Sequence, residues 1–280
     1  MPLPFPEMLF ASDPIPPVGG MSLWFDFSDP DTFNLIDGTK ATKDTPASAH
    51  IYSLWDKSAQ YGSNNNRQPR DAVVMPIKTN KGWHYLGRND ANAINGKSVL
   101  YSEGISLMTG NWANFTDQTI FVLYKLAPNL NNGSRLPIFG QMTYNTGEPT
   151  YSPLVWGKDS NLWTKTPSGA LVSNQPFLSS YGWKRLRHEK EDIYRVSNWV
   201  GSMSGGGYPL SVDPMYDTYK VGYTLGGELT PPYMDTANNT VSGYYAEIIA
   251  YDRLLSTSEM DSIGSYLVQK WGGNNPNFGS

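Results

Sequence analysis

The sequence contains no cysteine, so neither disulfides nor thiolate metal sites can staple the chain, and its stability must come from packing. Charge is scarce as well: 16% of the 280 residues are charged and the net charge is -4, which excludes the basic footprint of a phosphate-backbone binder. The polar surface must therefore be built from Asn, Ser, Thr, Gly and Tyr, a composition suited to hydrogen bonding with neutral hydroxyl-rich ligands or to close packing against protein neighbours. The three histidines, His50, His84 and His188, are scattered, and Asp192 stands where an H-E-x-x-H motif beginning at His188 needs its second histidine, so catalytic zinc is unsupported. No apolar run approaches the roughly 18 residues of a membrane span. No Lys or Arg precedes Lys40, so no ordinary signal peptide is expected. Without an internal linker or repeat, one domain is expected.

Aromatic residues are abundant at 13%, and the clearest pattern lies near the C-terminus. Gly243 to Asp252 alternates, with Tyr245, Glu247, Ile249 and Tyr251 on one face and Tyr244, Ala246, Ile248 and Ala250 on the other, which predicts a strand buried on both sides. Ser256 stands three residues before Glu259, the spacing of a capping box. Met260, Ile263, Leu267 and Trp271 then share one helical face, and Gly272 supplies the stop. Ser22–Ser28 and Gln118–Leu126 also alternate, and 136–141, 152–156, 192–199 and 219–225 are shorter strand candidates between Gly, Pro or Asn turns. Many antiparallel strands and one late helix predict an all-β jelly-roll sandwich.

The stretch Ala246–Arg253, with Leu255-Ser256, Ser258-Glu259 and Lys270-Trp271-Gly272, resembles the C-terminal signature of the concanavalin A-like, laminin-G-like jelly-roll domains. Leu23–Pro30, Leu54–Ser58 and Asn95–Gly104 match the same family in order and distance. The resemblance covers about residues 21 to 273, weakest over 140 to 240, and implies an antiparallel concanavalin A-like sandwich with one short C-terminal helix. The expected organisation is a Pro-rich arm over 1–20, a sandwich over 21–273 and a tail over 274–280. Members of this family bind glycans, form secreted or viral surface modules, or hydrolyse polysaccharides, and fold alone does not choose among these tasks.

The enzymatic branch carries E-x-D-x-x-E on a strand, with the carboxylates acting across a glycosidic bond. Here the only E-x-D is Glu259-Met-Asp261, Gly264 replaces the second glutamate, and the segment is helical by pattern. Glu189–Asp192 has the wrong spacing, lies among Lys184, Arg185, Arg187 and Lys190, and reads as a solvated loop. Gly96-Lys97-Ser98 lacks both the earlier glycine and the following helix of a phosphate loop. Gly201–Gly207 misses the central position of G-x-S-x-G and reads as a hairpin tip. No cofactor is expected. Calcium stays open, because Asp29 with Asp31, or Asp235 with Asn238 and Asn239, offers oxygen donors in turns.

Sugar rings pack their C–H faces on aromatic side chains while nearby polar groups bond the hydroxyls. Trp83 and Tyr85 beside Arg88, Asn89 and Asp90 form the best local combination, with Trp112, Trp163, Trp183, Trp199, Tyr208 and Tyr233 as further loop aromatics. In the arm, six prolines among the first seventeen residues forbid helix, while Leu3, Phe5, Leu9, Phe10 and Ile15 are too apolar for a solvated tail, so the arm is expected to lie on its own sandwich or on a neighbouring subunit. Together with the family's surface modules, these features lead to the expectation of a non-enzymatic virion structural protein of a bacteriophage. It would sit at the virion surface as a capsid decoration or tail component, attached by its arm to other virion proteins and to copies of itself, with no nucleic acid and no membrane insertion. The alternative is a lectin-like module recognising host surface glycan. A glycoside hydrolase is the third reading.

Overall fold

The computed structural model describes residues 14–47, 49–58, 72–74, 83–91, 93–103, 107–109, 112–113, 118–126, 137–145, 148–156, 176–184, 187–195, 199–204, 220–225, 242–251, 253 and 255–272. The chain is an all-β antiparallel sandwich with one C-terminal helix. Its strands are β1 (Met21–Asp26), β2 (Phe33–Leu35), β3 (Ala49–Leu54), β4 (Ala72–Val74), β5 (Trp83–Leu86), β6 (Val99–Glu103), β7 (Leu107–Thr109), β8 (Trp112–Ala113) and β9 (Gln118–Leu126). They continue with β10 (Pro137–Asn145), β11 (Glu148–Trp156), β12 (Pro176–Lys184), β13 (Arg187–Arg195), β14 (Trp199–Ser204), β15 (Lys220–Leu225) and β16 (Ser242–Tyr251), and helix α1 (Thr257–Trp271) follows. The larger sheet runs β14-β13-β12-β9-β16-β6-β5-β3-β4-β7, with β1 on β16 and β2 on β3, and the smaller runs β11-β10-β15-β8.

The centre of the larger sheet is β16. One edge pairs with β9 along nearly its whole length, and the other is divided between β6, opposite Ser242 to Tyr245, and β1, opposite Glu247 to Tyr251. The first and last strands of the chain are therefore neighbours, and β16 is buried on both faces, as its apolar alternation predicts. The predicted partition of those faces holds only from Glu247 onward. A bulge between Tyr245 and Glu247 shifts the register, so Tyr244 and Ala246 join Ile249 and Tyr251 in the cluster packed against α1. An inserted residue breaks strict alternation without any mark in the pattern itself.

Helix α1 forms where its signals lie. Ser256 accepts from the Glu259 N–H, Glu259 accepts from the Ser256 N–H at 2.8 Å, and Arg253 grips the same carboxylate at 2.6 and 3.0 Å. Ile263, Leu267 and Trp271 are buried against the sheet, and Gly272 ends the helix at φ +84°. On the other face, Phe25, Phe27, Phe33 and Tyr85 form a chain of rings with successive centroids 6.0, 5.8 and 5.2 Å apart.

Three segments depart from the sequence expectation. Glu189–Asp192 is not a loop: Arg187–Arg195 pairs on both sides, with β12 and β14, because ladder pairing uses backbone groups that a run of charged residues still supplies. Strand β12 was not expected from a segment carrying Pro176 and Gly182. Residues 201–204, expected at a hairpin tip, continue β14. In the arm, Pro16 and Val18 are buried on the chain's own sandwich, and Tyr251 Oη donates to the Val18 carbonyl at 2.9 Å, while Ile15 is 44% exposed. Leu3, Phe5, Leu9 and Phe10 lie outside the described residues.

Candidate functional site

Two places concentrate polar chemistry: a buried charge network under α1, and an aromatic row on the sheet face where the helix ends. The network is assembled from segments far apart in the chain. Lys270 of α1 lies 2.7 Å from Asp26 Oδ1 and 3.1 Å from Glu247 Oε2, and Lys57 lies 2.6 Å from Asp29 Oδ2 and 3.5 Å from Asp26 Oδ2. Glu247 also accepts from Trp24 Nε1 and Tyr266 Oη, both at 2.7 Å, and from Trp271 Nε1 at 2.6 Å. Asp56 Oδ1 accepts from the backbone N–H groups of Trp24 and Ser58, both at 2.9 Å. Indole and ammonium groups can only donate, so Glu247 serves them as an acceptor.

The electrostatics follow from burial and pairing. Burial pushes Glu247 above the ordinary carboxylate value, Lys270 opposes that, and Asp26 adds to the push. Burial works the same way on Asp26, but Lys270 and Lys57, with hydrogen bonds from Lys270 and Ser28, outweigh it and hold Asp26 below its ordinary value. Burial disfavours the charge on Lys270, yet Glu247 and Asp26 win and raise it. Two carboxyl groups with opposed shifts can mark an acid and base pair. Here Asp26, Glu247 and Lys270 side chains are sealed from solvent, and their oxygens are taken by protein donors, so no substrate reaches them. The network clamps α1 to β1 and β16. The sequence stretches 23–30, 54–58 and 246–272 thus meet in one structural lock.

The second place is open to solvent at one end. Tyr101 of β6 is opposite Tyr244 of β16, and Tyr244 is opposite Lys125 of β9. Residues directly opposed in an antiparallel ladder share a face, so the three form a row. The Tyr101 and Tyr244 rings stack at 5.0 Å and 26°, and Lys125 Nζ sits 4.8 Å from the Tyr244 ring centre. Tyr101 is partly exposed, whereas Tyr244 and Lys125 are 7% and 5% exposed. Burial lowers the Lys125 pKa, with Asp90 opposing, and burial raises that of the Tyr244 hydroxyl, with Tyr101 and Asp90 adding to it. Asp90 thus belongs electrically to this end of the row.

Of the sugar-site residues read from sequence, Asp90 is half-buried on the turn after β5 and acts on the row through its charge, and Arg88 and Asn89 are exposed on the same turn. Tyr85 is 1% exposed, packs on Phe33 and shares a hydrogen bond with Ser98 Oγ at 3.0 Å, so it is a core residue and offers no ring face to a ligand. The backbone of Trp83 pairs with Ile51 and Ser102, and its side chain lies outside the described residues. Trp112, Trp183 and Trp199 fall in β8, β12 and β14, and Trp163, Tyr208 and Tyr233 lie outside the described residues. Sequence reasoning passed over Tyr101, Tyr244 and Lys125, which occur in apolar strand patterns, because their convergence depends on strand order. The Asn95-Gly96 pair, at φ 50° and 67°, makes a tight turn closed by the Ile94 and Lys97 bridge, confirming that Gly96-Lys97-Ser98 has no phosphate-loop geometry. Asp29 accepts from the Asp31 N–H and pairs with Lys57. Among the described residues, no three His, Asp or Glu side chains gather with metal-holding geometry. Asp235, Asn238 and Asn239 lie outside them.

No protein-family model matches the sequence, and no curated protein matches it. The fold is shared with solved structures. A Trypanosoma rangeli sialidase matches with a TM-score of 0.51 at 12% identity, over 92% of this chain and 34% of the sialidase. An arabinofuranosidase complexed with arabinofuranosyl-α-1,2-xylobiose matches with a TM-score of 0.50 at 11% identity, over 92% of this chain and 60% of its own. The chain therefore spans about a third of the sialidase and three fifths of the arabinofuranosidase. This likeness corrects the expectation of a non-enzymatic virion structural protein, since the similar architectures belong to enzymes that act on carbohydrate. The expectation rested on the resemblance to a family with viral surface modules and on an apolar, Pro-rich N-terminal stretch without Lys or Arg, none of which reports on the surface that does the work.

Proposed function

We propose that the chain is a glycan-binding module whose ligand rests on the sheet face at Tyr101, beside the end formed by Tyr244, Lys125 and Asp90. The observation that carries this reading is the stacked tyrosine pair, open to solvent at Tyr101, with the Lys125 ammonium against its inner ring. A pyranose presents a C–H face to such a ring while its hydroxyls meet the polar groups around it. The concanavalin A-like character read from the sequence and the carbohydrate-directed activity of the structural neighbours both favour this ligand class. A second reading, glycoside hydrolysis, is favoured by the neighbours being a sialidase and an arabinofuranosidase. Against it stand the sealed Asp26 and Glu247 carboxylates and the absence from the sequence of a spaced E-x-D-x-x-E.

The test is a glycan and polysaccharide array read for retained protein and for released reducing ends. Retention without release is expected, with Tyr101→Ala weakening it about tenfold, equal to about 1.4 kcal/mol. Release of reducing ends would establish the hydrolase instead, and silence in both channels would remove the glycan reading.

A further inference from the structure

The row does not stop at Tyr101. The backbone ladder continues from Tyr101 to His84 of β5 and from His84 to His50 of β3, so one register line crosses β3, β5, β6, β16 and β9. On β3, His50 and Tyr52 are exposed while Ile51 between them is buried, which puts both outward residues on the side of this line. Next to them the pairing with β2 slips: Asn34 is opposite Ser53 and Leu35 is opposite Ile51, leaving Tyr52 without an opposed residue. Bulges of this kind re-aim a side chain. Tyr52 is 54% exposed and is the one exposed aromatic among residues with described side chains. Asn34 Nδ2 donates to Ser53 Oγ at 2.9 Å beside it, so hydroxyl-bonding groups flank the ring.

We infer that Tyr52 is a second carbohydrate platform on the same face as Tyr101, and that the ligand is an extended, neutral oligosaccharide lying across the strands. This rests on the glycan-binding reading. The two inter-strand steps from β3 to β6 span about 10 Å at ~4.8 Å each, and Tyr52 lies two residues, about 7 Å, along β3 from the line, so the two rings stand about 12 Å apart, a length that two to three pyranose units cover. Rings and an exposed imidazole line the open part, the row's one ammonium, Lys125, is buried at its inner end, and the exposed Arg88 and Lys40 lie on flanking segments outside the row, so the row itself suits hydroxyls and C–H faces better than a polyanion. A fully packed tyrosine would serve the fold. Tyr52 contributes little to packing, and its aim toward solvent at a bulge is what a ligand platform requires.

Isothermal titration with xylo- and cello-oligosaccharides of two to six units tests this on the wild type, Tyr52→Ala and Tyr101→Ala. Affinity should climb to about three or four units and then level off. Tyr52→Ala should cut tetrasaccharide affinity about tenfold, leave disaccharide affinity unchanged, and unfold in urea at the wild-type midpoint. Equal tetrasaccharide affinity in Tyr52→Ala and wild type would overturn the second platform while leaving the glycan reading intact. Equal loss for disaccharide and tetrasaccharide would also overturn it, by placing Tyr52 in the primary subsite. If the wild type takes no sugar of either series yet retains acidic glycans on the array, the neutral ligand is overturned. Silence on both removes the glycan reading itself.

Discussion

Replacing Lys270 by Met keeps the length of the side chain and removes the ammonium that touches Asp26 at 2.7 Å, Glu247 at 3.1 Å and Tyr266 Oη at 3.2 Å. Lys57 still reaches Asp26 at 3.5 Å, but among the described residues no other cation contacts Glu247. Breaking a buried pair by deleting one partner leaves an uncompensated charge and costs about 3–5 kcal/mol, a large part of the roughly 5–15 kcal/mol that holds a typical domain folded. Urea unfolding should show a lower midpoint with unchanged slope, and the melting temperature should fall by about 10 °C. Adding Asp26→Asn and Glu247→Gln to Lys270→Met should cost less than the sum of the three single changes, because the deleted charges no longer face one another. The pH dependence has a definite sign. Lys270 and Lys57 are held above the ordinary lysine value of 10.5, so the stability they contribute is fully present below about pH 10.5 and is lost as pH rises through their higher folded-state values. Wild type should weaken in that alkaline range more than Lys270→Met does. A Lys270→Met protein within about 1 kcal/mol of wild type at neutral pH would refute the lock, because a pair worth so little would be an exposed one.

Other consequences are local. Glu259 is drawn down to about 2 by Arg253 and by its bonds with Ser256. The first turn of α1 should therefore be stable above about pH 4.5 and fray as pH falls toward 2, seen as faster amide exchange at residues 257–260; Glu259→Gln should fray at every pH. Ser256→Ala should cost about 1 kcal/mol through the lost cap. Gly272 has φ +84° and ψ 163°, a region open in practice only to glycine, so Gly272→Ala should lower stability by about 1–3 kcal/mol in urea unfolding.

Local signals were legible in the sequence and long-range ones were not. The capping box, the helical stripe and β9 were all readable because each is set by neighbours within one turn or by strict alternation. The bulge after Tyr245 was hidden, since an added residue leaves the pattern apolar on both faces. The charge network was half visible: Asp26 and Glu247 interrupt apolar strands, and Lys270 falls beside Leu267 and Trp271 in the buried stripe, so each called for a partner. Which partner depended on β1 and β16 lying side by side, a pairing between chain ends more than 220 residues apart. The aromatic row was not legible. Tyr101, Tyr244 and Lys125 become neighbours through the order β6-β16-β9, which no local window contains. Tyr85 misled for the opposite reason: it belongs to the core side of β5, packed on Phe33, and which side of a strand becomes core is set by the layer it packs on.

A crystal of the full chain soaked with the best array glycan tests the central claim most directly. The account predicts a sugar ring packed on Tyr101, with its neighbouring unit directed over β5 toward Tyr52. A sugar ordered at another surface, with the Tyr101 face left bare, would contradict it.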